Sequence, residues 1–122
     1  MSLRFVLAIA LLLSFSTAFA ASEKAPLRKH WFVSGRVQGV SFRAFTYENA
    51  TDLKMTGWVR NLTDGRVEIV AEGTAKAIDA LLEKVKKGPE GSRVDGVKES
   101  SVDEKEKLAD HFQIRDSAAP PK

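Results

Sequence analysis

Apolar positions along the chain switch twice between a strand-like and a helix-like period. His30-Trp31-Phe32-Val33-Ser34 reads as a buried strand, and it stops at Gly35-Arg36-Val37-Gln38-Gly39, a loop punctuated by glycines. Ser41 then predicts a helix N-cap, because Phe42, Phe45, Asn49 and Leu53 follow at spacings of three and four. A second strand is predicted over residues 57–62 and a third over 66–72, joined by the Thr63-Asp64-Gly65 turn. In the third, Val67, Ile69 and Ala71 alternate with Arg66, Glu68 and Glu72, Val70 apart, which predicts a sheet with one buried face. Thr74 is placed to cap a second helix with Ile78, Leu81, Leu82 and Val85 on one stripe, ended by Gly88-Pro89. Residues 94–100 and 112–114 predict two further short strands on either side of a charged stretch at 101–110. The order β-α-β-β-α-β plus a short C-terminal strand predicts an α+β two-layer sandwich. Both helices are expected on one face of an antiparallel sheet.

The first residues follow none of these periods. Met1-Ser-Leu-Arg4 is a short positive start, residues 5–15 are almost uninterruptedly apolar, and Ala18-Phe19-Ala20 is an A-x-A cleavage signature. The run is too short to span a bilayer and ends in small residues, so residues 1–20 are read as a signal peptide. The predicted organisation continues with a linker at 21–28, one folded domain at 29–116 and a disordered tail at 117–122. Cleavage leaves about 100 residues, enough for one core without staples. The 122-residue chain is 43% hydrophobic and 29% charged, a globular mixture, and has no cysteine, which excludes a disulfide framework and thiolate chemistry. The formal charge of +3 is spread among many acids, whereas a nucleic-acid surface more often shows a concentrated basic stripe. With no second apolar run, the mature protein is expected to be exported, to a bacterial periplasm or the medium, with no membrane attachment.

Two residues break local rules, as functional residues often do. Arg43 falls in the first turn of the first helix, where the macrodipole disfavours a cation by about 0.3–1 kcal/mol. That placement makes sense if an anion shares the helix start. Asn61 lies inside a strand, where asparagine is depleted, and by parity with Val59 points toward the helix side. Glycines at 35 and 39 let backbone N–H groups turn inward just before a helix N-terminus, a ready anion cradle. Arg43 would add a bidentate fork. A tight strand-to-helix turn with a surface arginine explains the same spacing. The loop is not a nucleotide P-loop, because the Lys-Ser/Thr pair is missing.

The run Gly35-Arg36-Val37-Gln38-Gly39-Val40-Ser41-Phe42-Arg43 closely resembles the first signature of the acylphosphatases. Gly57-Trp58-Val59-Arg60-Asn61-Leu62-Thr63-Asp64-Gly65-Arg66-Val67, running on to Gly73, resembles the second. The resemblance covers roughly residues 29–115 and implies a ferredoxin-like βαββαβ sandwich. It also implies hydrolysis of the carboxyl–phosphate bond of acyl phosphates to carboxylate and inorganic phosphate, the latter both product and inhibitor. Carried over residue by residue, the phosphate is held by Arg36, Val37, Gln38, Gly39, Val40, Ser41 and Phe42 through loop amides and by Arg43, while Asn61 orients the attacking water.

The chain's own side chains are compatible with that implication. His30 and His111 stand apart with no metal-ligand spacing, so neither a metal nor a cofactor is expected. Thr46, Glu48 and Asp64 have no partner that would make them bases, and solvated or turn roles are expected for them. An acyl phosphate already carries a good leaving group, so positioning and charge stabilisation can suffice. Two other readings compete: a non-catalytic anion-binding or regulatory module of the same fold, and an RNA binder using the sheet face, for which Trp58 is the only obvious aromatic. A monomer acting on a small-molecule substrate, without nucleic acid, is expected. Many relatives have glycine where Lys54 stands, so a left-handed Lys54 would strain the end of the first helix by about 1 kcal/mol. Asn49-Ala50-Thr51 and Asn61-Leu62-Thr63 are both N-x-S/T sequons, and a glycan on Asn61 would occupy the expected water-binding amide, which favours a bacterial export route.

Overall fold

The computed structural model describes residues 26–122; the expected signal peptide lies outside the described residues, as do residues 21–25 of the expected linker. Five strands and two helices follow in the order β1 (Leu27–Arg36), α1 (Phe42–Asp52), β2 (Thr56–Asn61), β3 (Val67–Gly73), α2 (Ala75–Lys87), β4 (Arg93–Ser100) and β5 (Phe112–Ile114). The strands form one sheet in the order β4-β1-β3-β2-β5. The α+β two-layer prediction holds, with one amendment. β5 pairs parallel with β2 (Gly57 opposite Phe112, Val59 opposite Ile114), so the sheet is mixed rather than antiparallel throughout.

Parity sets the core. Trp31, Val33, Val59, Val67, Ile69, Ala71 and Phe112 pack in one cluster with Phe42 and Ala50 of α1 and Ile78, Leu81 and Val85 of α2. α2 has the predicted stripe and cap, the Thr74 hydroxyl accepting from the Ala77 N–H at 3.1 Å. α1 buries a different set from the one its sequence suggested: Phe42, Thr46 and Ala50 face inward, while Phe45 and Asn49 lie to the side. Thr46 is therefore not solvated. Its hydroxyl donates to the Phe42 carbonyl at 2.9 Å, which satisfies the polar group within its own helix.

The opposite face of the sheet is covered too, which corrects the expectation of one buried face. Val67, Glu68, Ile69, Val70 and Ala71 are all buried. The charged stretch at 101–110 folds back over this face, held by the Arg28 guanidinium, which donates to the Asp103 and Glu106 carbonyls at 2.7 and 2.8 Å. Trp58, only 4% exposed, donates its Nε1–H to Glu106, and the guanidinium groups of Arg60 and Arg115 lie 4.7 and 4.4 Å from its ring centroid. Its ring is thus a packing element and not the exposed stacking platform that RNA recognition would require.

Both ends of the domain extend beyond their predicted limits. β1 begins at Leu27, inside the expected linker, because Leu27 and Arg28 pair with Gly73 and Glu72. The C-terminal tail is anchored rather than disordered at Ala118, whose N–H donates to the Asn61 carbonyl while its own carbonyl accepts from the Thr63 N–H. Backbone pairing captures these residues, Leu27 and Arg28 along the end of β3 and Ala118 beside the end of β2 beyond β5, and side-chain patterning gives no sign of it.

The end of α1 settles a conformation that the sequence left open. Lys54 is left-handed, with φ 58°. Its N–H donates to the Thr51 carbonyl and the Met55 N–H to the Ala50 carbonyl, the paired bonds of a Schellman motif, with Met55 buried beyond it. A lysine bears the left-handed strain that glycine would not. Lys54→Gly should therefore stabilise the fold by about 1 kcal/mol and raise the melting temperature by about 4–8 °C. A calorimetric scan showing a lower melting temperature would reject the assignment of strain to Lys54.

Candidate active site

The loop between β1 and α1 is shaped by a break in pairing. A register shift falls between Ser34 and Gly35, and a Cβ at Gly35 would lie 2.1 Å from the Arg93 carbonyl oxygen, so only glycine fits. Beyond it the chain reverses through Gly39 (φ 74°) and Ser41 (φ 62°), both left-handed. Ser41 occupies the predicted N-cap position, but its side chain makes no capping bond. The first helical bond runs from the Phe45 N–H to the Ser41 carbonyl at 3.0 Å. The N–H groups of Phe42, Arg43 and Ala44 precede it and have no intrahelical acceptor, and the dipole of α1 adds positive potential at the same end.

These residues line a cleft of about 440 Å³ whose walls also include Val37, Gln38, Gly39, Asn61 and Ile114. Arg43 and Asn61 therefore line the same cleft, although 18 positions separate them in sequence. None of the ion pairs among the described residues uses the Arg43 guanidinium. Asn61 ends β2, paired with Val67 of β3, and its Oδ1 is buried without a hydrogen-bond partner. An acceptor left in that state has room for the hydrogen of a bound molecule.

The remaining predicted loop residues divide. Gln38, Gly39, Ser41 and Phe42 line the cleft with Val37, but Arg36 and Val40 do not. Arg36 is exposed at the end of β1 opposite Arg93, and Val40 packs against the core. Asp64 turns away into the β2–β3 connection, where Arg66 donates to it from backbone and side chain. The hydrogen bonds from Arg66 hold the Asp64 carboxyl below the usual carboxylate range. That pairing is present above the ordinary carboxylate range and is lost as pH falls through the lowered value. His30 and His111 lie outside the cleft, and among the described residues no Asp, Glu or His lines it. Among the described residues no three such groups converge as metal ligands.

Sequence reasoning missed Ile114, a cleft wall residue that remains 47% exposed. It shares parity with buried Phe112, but a three-residue strand offers too little alternation to assign a face. The cleft thus combines one unpaired cation, a helix start rich in free donors and one neutral amide, beside apolar side chains. That set suits a phosphoryl oxyanion on a partly apolar molecule and supplies no side-chain base.

Known proteins resemble this chain in sequence and in fold. The acylphosphatase family model matches residues 29–114. The chain is similar to an acylphosphatase of Methylococcus capsulatus, 56% identical over 70 residues that cover 57% of this chain and 76% of that one. It is 47% identical to an acylphosphatase of Haloarcula marismortui over 91 residues, 75% of this chain and 98% of the relative. Among solved structures, an acylphosphatase from Coxiella burnetii aligns with a TM-score of 0.68 at 37% identity, covering 74% of this chain and 93% of its own. One from Bacillus subtilis aligns with a TM-score of 0.63 at 41% identity, covering 75% and 99%. The chain belongs to the acylphosphatase family.

Proposed function

We propose that the acylphosphatase activity of this chain is performed in the cleft between the β1–α1 loop and the end of β2, without a side-chain base and without a metal. The observation that carries this reading is the placement of Arg43 and Asn61 in one cleft that, among the described residues, no carboxylate or imidazole lines. The phosphate of an acyl phosphate is received by the loop amides and the Arg43 fork. Its non-bridging oxygens carry the charge that these donors stabilise in the transition state. Asn61, offering both a donor and an acceptor, holds a water against the phosphorus opposite the acyl oxygen. As the water oxygen bonds to phosphorus, the bond to the acyl oxygen breaks and the electron pair leaves on the carboxylate. The water's proton passes to a phosphate oxygen, and the products are carboxylate and inorganic phosphate. Every group needed belongs to one chain, so a monomer is sufficient. A binding-only module finds no support, since it leaves the Asn61 amide without a purpose.

The N-terminal pattern supports export of this enzyme. Residues 1–20 act as a signal peptide, and the mature chain works in a bacterial periplasm or outside the cell. N-terminal sequencing of the native protein from a periplasmic fraction should read from near Ala21. Recovery of the intact Met1 terminus from the cytosol would refute export.

Two substitutions divide binding from chemistry. Arg43→Gln should lose most activity toward benzoyl phosphate and weaken inhibition by inorganic phosphate in parallel. The expected cost of about 2–5 kcal/mol is that of losing a charge-assisted pair, and a chelator should change neither wild type nor variant. Unaltered phosphate inhibition would remove Arg43 from the grip.

Asn61→Ala should leave phosphate inhibition nearly intact, because the amides and Arg43 remain, while kcat falls about a hundredfold or more. Circular dichroism must first show the variant folded. A folded Asn61→Ala with wild-type kcat would mean that the water is oriented by some other group.

A further inference from the structure

The two halves of the site come from distant parts of the chain, and one side chain joins them directly. The Nε2 of Gln38 lies 2.8 Å from the Leu62 carbonyl oxygen and 2.9 Å from that of Arg66, so both amide hydrogens are donated to the β2–β3 turn. Two carbonyl acceptors fix the amide's orientation, since the reversed group would set oxygen against oxygen. The same two carbonyls close the turn, Arg66 accepting from the Leu62 N–H at 2.8 Å and Leu62 from the Gly65 N–H at 3.1 Å. Leu62 follows Asn61 immediately, and Ala118 holds the Asn61 carbonyl and the Thr63 N–H from the outer edge. The turn is thus tied as a unit, and a tie to it is a tie to Asn61. At the other end, Gln38 stands between buried Val37 and Gly39 in the loop that receives the phosphate.

We propose that the Gln38 side chain is a positioning residue that sets the distance between the phosphate loop and Asn61. The inference rests on the assignment of the loop and Asn61 made above. It gives Gln38 a role apart from gripping phosphate, because both of its side-chain donors are committed to the turn. Methionine fills similar volume with no donor. Glutamate at neutral pH turns oxygen toward two carbonyl oxygens, and when protonated regains a single O–H donor.

The test is a double-mutant cycle on the full chain, with benzoyl phosphate as substrate and inorganic phosphate as inhibitor. Gln38→Met should lower kcat about tenfold, the scale of losing two neutral hydrogen bonds, and leave the phosphate inhibition constant within about twofold. Placed on Asn61→Ala, it should change kcat by less than about twofold, because no water-orienting amide remains to be positioned. Equal losses in both backgrounds, or phosphate inhibition weakened in step with kcat, would overturn the proposal. Relative to wild type at each pH, Gln38→Glu should recover activity as the carboxyl protonates, and Gln38→Met should not. Hydrogen exchange gives a readout free of catalysis: the Leu62 and Gly65 N–H groups should exchange faster in Gln38→Met, and unchanged protection would show that nothing is clamped. An Asn61→Ala variant that keeps wild-type kcat would instead defeat the assignment of Asn61, and the exchange result would still decide whether Gln38 holds the turn.

Discussion

Glu68 lies near the start of the central strand, 2% exposed, with its oxygens shared between the strands on either side. His30 of β1 approaches one oxygen at 2.8 Å, and the Nε of Arg60 on β2 donates to the other at 2.6 Å. β1 runs on into the β1–α1 loop, and β2 runs on to Asn61. A slip of either strand by one residue would move its partner to the other face and leave a carboxylate buried without compensation, at about 3–5 kcal/mol. Apolar side chains here would hold the strands together as firmly without distinguishing one register from the next. The carboxylate therefore contributes specificity of alignment more than net stability, and the convergence of Arg43 with Asn61 depends on that alignment.

The loop completes what the sheet aligns. Ser41 is held left-handed without glycine's freedom, a cost of about 1 kcal/mol or more, and the side chain that might have capped α1 makes no such bond. The helix start is left with free N–H groups and a cation in its first turn. Both features oppose folding locally, and both become favourable once an oxyanion binds.

Much of this was legible from the residues. Period-two and period-3.6 patterns located every strand and both helices, and Arg43 and Asn61 stood out because each conflicts with its local setting. What was not legible depended on partners remote in sequence. Glu68 reads as an outward strand residue until residues 101–110 fold over it. Thr46 reads as polar surface until α1 is rotated to bury it. Tail residues with no apolar period are captured by backbone pairing beside Asn61. Gln38 could be placed in the loop by its neighbours, but its side-chain partners lie 24 and 28 positions away.

The remaining constraint is electrostatic. A cleft that binds a multiply charged phosphate must keep its water-orienting and loop-holding groups from competing for that anion. Carboxylates would repel it, and further cations would strengthen ground-state binding without favouring the transition state. Neutral amides avoid both faults. Asn61 and Gln38 present donors and acceptors that do not titrate near neutral pH, and among the described residues lining the cleft only Arg43 carries charge. Geometry and charge are thus assigned to different residues. In the proposed mechanism the single cation supplies the attraction, and the amides keep the water and the loop in place whatever the protonation state of the bound phosphate.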